Sequence, residues 1–314
     1  MDKKNILLIG YGNMGKIHKR VIEDNQSTLL SGVVDLDIEK LNLLNSEKRL
    51  YSNLNEVDFK SNLHDGAIIS SNTSSHYEIS KTLIKNNIPF LVEKPLSTDR
   101  KQLNEIISTV KSNGHIMRCG ILETYNPIFQ YIKKLNIKKI KSIHIFRHSQ
   151  KIIDREVDNV IFDLVIHDFS VLLKLFPDSK IEIISKNQEM NNAEIESVDI
   201  FLRVNNIPIL ISASRESQTK LRKWSIKTGE EDYEIDLINK EVNIFESGAI
   251  SLEEGSIISN NIKNTKKSFS NSKEAAQIQL EEFVGDIDKK KLDITHLELL
   301  EKTHNEIFRI NEFN

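Results

Sequence analysis

The chain has 314 residues, 39% of them hydrophobic and 28% charged, so it is long enough for two domains and has the balance of a soluble globular protein. A net charge of −3 without a dense Lys/Arg stripe argues against nucleic acid or an anionic membrane as partner. A single cysteine, Cys119, rules out an internal disulfide or a thiolate metal cluster, and its apolar setting reads as a buried strand.

The first four residues lead straight into an apolar run, leaving no room for a signal peptide, and no run approaches the roughly 18 residues of a membrane helix, so a cytoplasmic protein is expected. Asn5 to Gly15 reads NILLIGYGNMG, a strand running into G-x-G-x-x-G. That is the dinucleotide-binding pattern: Gly10 permits the tight turn, Gly12 lets backbone approach a pyrophosphate, and Gly15 allows close strand-to-helix packing. Asn13 and Met14 then open a helix whose N-terminal N–H groups face the phosphates. A second apolar run, Leu29 to Val34, ends in Asp35, about 25 residues beyond the first glycine, where an acid holds the adenosine ribose hydroxyls. No basic residue follows at once to receive a 2′-phosphate, so Asp35 favours NAD over NADP.

Strand and helix signals alternate from there, predicting a doubly wound parallel sheet. A helix is expected near Asp37–Ser46 and a short strand near Tyr51, then a strand over Ala67–Ser70 and a helix over Ser74–Lys85. A strand over Pro89–Val92, a helix over Asp99–Ser112 and a strand over His115–Ile121 complete the set. The carboxyl ends of these strands carry Gly10 to Gly12, Asp35, Ser71-Asn72-Thr73 and Glu93-Lys94-Pro95, so special-backbone and polar residues collect where a cofactor binds. Ser71, Asn72, Thr73, His76 and Glu93 are therefore candidate cofactor contacts, although Thr73 or Ser74 could equally cap the helix. Lys94 lies where the nicotinamide is expected, with Pro95 fixing the direction of the chain. The alternative is an ordinary turn lysine.

Beyond about residue 122 the pattern becomes short β runs joined by tight polar turns: Lys141–Ser149, Ile181–Lys186, Val198–Val204, Ile207–Ser214, Arg222–Thr228, Asp232–Ile238 and Glu241–Phe245. They predict an antiparallel meander forming an open sheet, interrupted by a helix over Ile161–Phe176. Ser247–Lys273 reads as a loop, and Lys273–Asp286 and Thr295–Ile310 as closing helices. Two domains are expected: 1–121 for the dinucleotide and 122–314, an α+β domain, for substrate and self-association. Trp224 fits sheet packing on a face open to a partner. Within the helix, Asp163 and His167 stand four apart, a carboxylate one turn from an imidazole, which suits a general base and its orienting acid. The pair could also begin a metal site, but no third ligand accompanies it, so no metal is expected.

With GYGNMG at the start, EKPLS at 93–97 and DLVIHD at 163–168, the chain resembles the Gfo/Idh/MocA family of NAD(P)-dependent sugar oxidoreductases over its whole length. GILETYNPIFQ, DNVIFDLVIHDFSVLL and QLEEFV are further similar to the branch that oxidises the 3-hydroxyl of UDP-N-acetylglucosamine for surface polysaccharide synthesis. The resemblance implies a Rossmann domain, an α+β domain with an open, mostly antiparallel sheet that forms homodimers or homotetramers, and a sugar or nucleotide-sugar substrate. It puts the family's E-K-P lysine on Lys94 and its D-x-x-x-H pair on Asp163 and His167. Lys94, His167 and Asp163 become the expected catalytic and substrate-binding set, with Tyr125, Asn126 and Arg147 as further sugar or diphosphate contacts. Competing readings are a free-sugar or inositol dehydrogenase, a glycosidase of the same fold, and a non-catalytic NAD-binding sensor or scaffold. The sensor needs the glycine turn but no proton-transfer residues.

Overall fold

A computed structural model describes residues 3–42, 44, 49–133, 139–151, 158–191, 194–246, 250–253, 256–259 and 263–313. Two compact units make up the chain: Met1–Tyr125 and Glu274–Phe308 with Asp158 in the first, and Asn126–Arg155, Asn159–Lys273 and Arg309–Asn314 in the second.

The first unit begins with β1 (Lys4–Ile9), α1 (Asn13–Asp24), β2 (Thr28–Val34), α2 (Ile38–Asn42), β3 (Arg49–Tyr51), β4 (Gly66–Ile69), α3 (Thr73–Lys85), β5 (Phe90–Val92), α4 (Arg100–Asn113) and β6 (Met117–Cys119). The strands pair in parallel in the order β3-β2-β1-β4-β5-β6. This is the doubly wound order, with its switch point between β1 and β4. Ile6, Leu7, Leu8, Ile68, Ile69 and Phe90 are fully buried, as a parallel sheet covered on both faces requires. Helix α4 starts where Asp99 accepts hydrogen bonds from the N–H groups of Lys101 and Gln102, and stops at Gly114 in the left-handed conformation. Helix α2 spans Ile38–Asn42; of the 37–46 stretch, residues 43, 45 and 46 lie outside the described set.

The second unit runs through α5 (Pro127–Ile132), β7 (Ser142–Gln150), a π-turn (Ile161–Val165), α6 (Ile166–Leu175), β8 (Ile181–Asn191), β9 (Glu194–Val204), β10 (Ile207–Ser214), β11 (Glu216–Lys227), β12 (Glu231–Asp236), β13 (Glu241–Glu246), β14 (Ile250–Glu253), β15 (Ser256–Ser259) and β16 (Lys263–Ser268). Eight strands form one sheet, in the order β16-β13-β12-β11-β7-β10-β9-β8. Two features depart from a simple meander with a loop. Strands β7 and β10 pair in parallel, because α6, β8 and β9 intervene and supply the crossover that a parallel pair needs. The 247–273 stretch is not simply a loop: β14 and β15 pair with each other, and β16 adds an edge strand to β13 despite its Ser/Asn/Lys composition. Lys263 and Lys266 of that edge pair with Glu246 and Glu241, so charge across the ladder stands in for apolar pattern.

Two closing helices, α7 (Ala275–Lys289) and α8 (Ile294–Glu312), complete the chain. Ala276, Leu280, Phe283, Val284 and Ile287 of α7 join Ile6, Leu8, Ile68 and Leu91 in one core. That burial draws 274–308 into the first unit, so the chain re-enters it after the sheet domain and a single cut at 121 does not describe the two units. Among the described residues no helix is long and apolar enough to cross a membrane.

Candidate active site

The carboxyl edge of the parallel sheet brings together the glycine turn, Asp35, Ser71-Asn72-Thr73 and Glu93-Lys94-Pro95. Gly10 has φ +94°, and a Cβ there would lie 2.5 Å from the Ser71 nitrogen. A Cβ on Gly15 would lie 2.2 Å from the Gly10 oxygen. Both glycines are thus demanded by the protein's own packing. Gly12 differs. Its φ of −79° suits any residue, and a Cβ would meet no protein atom within 4 Å. Neither conformation nor packing among the described residues explains that glycine, which leaves its backbone open to close approach by a ligand. Gly12 is also the N-cap of α1 and supplies no capping side chain, so the first N–H groups of the helix, from Asn13 and Met14 onward, fit an anion.

Asp35 binds the same loop from the neighbouring strand. Its carboxylate accepts from the Tyr11 N–H at 2.5 Å and the Asp37 N–H at 2.9 Å, which fixes it beside the glycine turn. Across the switch point, Ser71 shares a hydroxyl hydrogen bond with Ser75, Asn72 leads into α3, and the Thr73 hydroxyl donates to Asp158 at 2.7 Å. His76 is buried, with ring nitrogens 2.8 Å from the Pro95 carbonyl and 3.1 Å from the Ser71 carbonyl, and burial holds its pKa below the ordinary histidine value. It ties the loops after β4 and β5 together, so its side chain serves the scaffold around Lys94.

Glu93, Lys94 and Pro95 follow β5, and the Lys94–Pro95 bond is cis. Glu93 is buried, and its carboxylate lies 2.6 Å from Nε2 of His18 and 3.4 Å from the Lys94 N–H. Gly120 makes room for it: a Cβ there would sit 2.6 Å from Glu93 Oε2. On the other side, the Leu96 N–H donates to Nε2 of buried His304 at 3.0 Å. The turn carrying Lys94, itself half-buried, is therefore held from α1, α3 and α8 at once. His18, Gly120 and His304 were not anticipated from the sequence. GNMGKIH does place His18 one turn into α1, but its partner is 75 residues away.

Tyr125 has a different surrounding from that expected of a sugar contact. It is buried, and its hydroxyl accepts from Arg118 at 2.9 Å beside His296. Burial first, then the neighbouring carboxylates, push its pKa up against the opposing influence of Arg118. Arg118 also pairs with Glu282, Asp286 and Asp293, joining β6 to α7 and the start of α8.

In the second unit, Asn126 caps α5 by accepting from the Ile128 N–H. Arg147 is buried on β7 and grips Asp168 through two bonds, Nε to Oδ2 at 2.5 Å and Nη2 to Oδ1 at 2.9 Å. Trp224 Nε1 donates to the same carboxylate at 2.9 Å, and its ring stands edge-on to Phe129. Arg147 therefore anchors the sheet to α6, and the fully buried Trp224 belongs to the core and not to an open face. Asp163 and His167, both half-buried, flank the end of the π-turn, a wider turn than an α-helix makes and one that recurs at functional positions. The Asp163 carboxylate lies 3.7 Å from Nη1 of Arg215, and the His167 carbonyl accepts from Ser170 at 2.7 Å.

Comparison with known proteins bears on the fold and on the cofactor-binding domain. Residues 4–121 match the Gfo/Idh/MocA model, described as an oxidoreductase family with an NAD-binding Rossmann fold. Over those residues the chain matches the cofactor-binding domain of that family. It is accordingly an NAD(P)-dependent oxidoreductase. UDP-N-acetylglucosamine 3-dehydrogenase of Acidithiobacillus ferrooxidans is 22% identical over 244 residues, 77% of either chain. Its solved structure superposes with a TM-score of 0.78 at 18% identity, covering 97% of this chain and 96% of that one. Myo-inositol 2-dehydrogenase from Lactobacillus plantarum gives 0.79 at 15% identity, covering 99% and 97%. A 3-ketoreductase from Actinomadura kijaniata, in complex with TDP-benzene and NADP, gives 0.83 at 9% identity, covering 99% and 98%. At these identities the structures establish the shared fold.

Proposed function

We propose that this oxidoreductase uses NAD to oxidise a secondary hydroxyl of a sugar, namely C3 of a UDP-N-acetylamino sugar. The observation that carries the dinucleotide part is Gly12, a glycine that the chain's own backbone and packing do not require. Asp35, fixed beside it and followed by Leu36 and Asp37, offers carboxylate oxygens to a ribose diol and opposes a 2′-phosphate, which supports NAD over NADP. The EKP lysine, the D-x-x-x-H pair and the likeness to UDP-N-acetylglucosamine 3-dehydrogenase support the sugar part.

Bound NAD⁺ supplies the hydride acceptor. His167 takes the hydroxyl proton, Asp163 orients its ring, and the Lys94 ammonium donates a hydrogen bond to the oxygen as negative charge develops there. This reading requires Lys94 and His167 to act on one carbinol, with Asn126 as a further sugar contact. Self-association through the eight-stranded sheet, as a homodimer or homotetramer, is part of the same reading.

The test is to incubate the purified chain with NAD⁺ or NADP⁺ and a panel of UDP-sugars, free sugars and inositols. The near-ultraviolet absorbance of the reduced cofactor reports turnover, and mass spectrometry reports loss of two hydrogens from the sugar. Turnover with UDP-N-acetylglucosamine and NAD⁺ is expected. Turnover confined to inositol, which the likeness to an inositol dehydrogenase would favour, would overturn the substrate assignment.

A further inference from the structure

The second unit contains a chain of four alternating charges that ends on Asp163. Lys151, just past β7, pairs with Oε1 of Glu196 on β9. Oε2 of the same carboxylate accepts from Nε of Arg215 at 2.8 Å. Arg215 lies between β10 and β11, is only 5% exposed, and presents Nη1 to the Asp163 carboxylate at 3.7 Å. A guanidinium stays charged in any protein and is planar, so fixing one edge on Glu196 fixes where the other points. The Arg215 N–H also donates to the Glu196 carbonyl at 2.9 Å, so backbone and side chain hold the same register. Burial pushes the Glu196 carboxyl up, but Lys151 and Arg215 outweigh it and hold the pKa below the usual range, so Glu196 is a charged anchor.

We propose that Arg215 is a positioning residue for Asp163: locked by Glu196, it holds the Asp163 carboxylate ionised and fixed one turn before His167. The proposal rests on the reading above only in giving Asp163 a part in the reaction. Among the described residues of its unit, the charged and titratable groups around Asp163 include Arg215, with Glu196 and Lys151 behind it, and His167 on its own helix. Asp163 is 23% exposed, so the influence of Arg215 is damped by solvent but not removed.

The experiment titrates the Asp163 carboxyl by carbon-13 NMR in the full chain, assigned with D163N, in wild type, R215Q and E196Q. Losing the guanidinium raises the Asp163 midpoint by about one pH unit. E196Q acts oppositely, because it leaves Arg215 to Asp163 alone and removes a neighbouring anion, so the midpoint falls. An ion pair that only packs, too screened by solvent to act on Asp163, would lower thermal stability in both variants and leave both midpoints in place. Should R215Q fail to fold, R215K takes its place: the positive charge stays but the rigid planar fork is lost, so the midpoint rises by less. An unmoved midpoint, or the same direction in both variants, overturns the proposal. The pH profile of kcat/KM is read on the same proteins, with its acid limb expected to follow the carboxyl. A carboxyl that moves while the limb does not would uphold Arg215 as the group that holds Asp163 and refute the part given to Asp163 in proton transfer.

Discussion

His304 offers a sharp test of how the Lys94 turn is held. Its Nδ1 faces the Leu300 carbonyl at 2.9 Å and its Nε2 faces the Leu96 N–H at 3.0 Å, so only the neutral ring with its proton on Nδ1 satisfies both partners. Burial pushes its pKa from 6.5 down to about 4. In the unfolded chain the ring binds a proton near pH 6.5; in the folded chain it does so only near 4. Between those values the unfolded state holds more protons, so the stability owed to the neutral ring is complete above about pH 6.5 and is lost as pH falls through the window. At about 1.4 kcal/mol per pH unit, the full window is worth about 3 kcal/mol, of which about 2 has gone by pH 5. Glutamine at 304 keeps a donor and an acceptor but gains no proton. Urea unfolding of wild type and His304→Gln, each at about pH 7.5 and about pH 5, should show the wild-type advantage shrinking by about 2 kcal/mol on acidification. An advantage of equal size at both values would refute the buried neutral ring. Other buried histidines of the first unit, His64, His76 and His115, are shifted down by burial as well, and the paired comparison cancels their share.

Four further outcomes are expected. Lys94→Met should lower kcat by roughly 10² to 10⁴ with NAD affinity, read by calorimetry, little changed, because the loss falls on the proton-handling step. Gly12→Ala should leave the thermal midpoint close to wild type while weakening NAD binding on the order of tenfold, whereas Gly15→Ala should destabilise the fold by about 1 to 3 kcal/mol, since its Cβ would press on the Gly10 oxygen. Asp35→Ser should weaken NAD much more than NADP; an unchanged NAD dissociation constant would remove Asp35 from the ribose site. Asp168→Asn should cost about 3 to 5 kcal/mol in chemical unfolding, because it leaves the buried Arg147 guanidinium without its carboxylate.

Local pattern made much of the molecule legible. The parallel sheet, its order of elements and the edge carrying Gly10, Asp35, Ser71 and Lys94 follow from strand-helix alternation, because each of those residues ends an apolar run. Arg147 shows where that reading stops and what could have extended it. In SIHIFRHSQ the alternation places residue 147 on the same face as fully buried Ile143 and Ile145, so the two-residue period already puts its side chain inside. Its partner Asp168 sits in an apolar helix, and Trp224 lies on a third element; no local rule brings the three together. The edge strand Lys263–Ser268 escaped notice for the opposite reason, since its pattern carries no apolar period and its side chains meet β13 through exposed charge pairs.

The same distinction separates the residues proposed to do chemistry from those that support them. Lys94, Asp163 and His167 stand in short contiguous motifs, because each sits at a strand end or on one helical turn that the motif itself builds. Their supports come from far along the chain: His18 reaches Glu93 across 75 residues, and His304 reaches Leu96 across 208. A support needs only to present one donor or acceptor at one point, so many residue types on many elements can serve, and no spacing marks it in advance. A substitution at His304 can therefore disturb the Lys94 turn as surely as one within EKPLS, and pH should reveal the link, because His304 is a support whose neutrality the turn depends on.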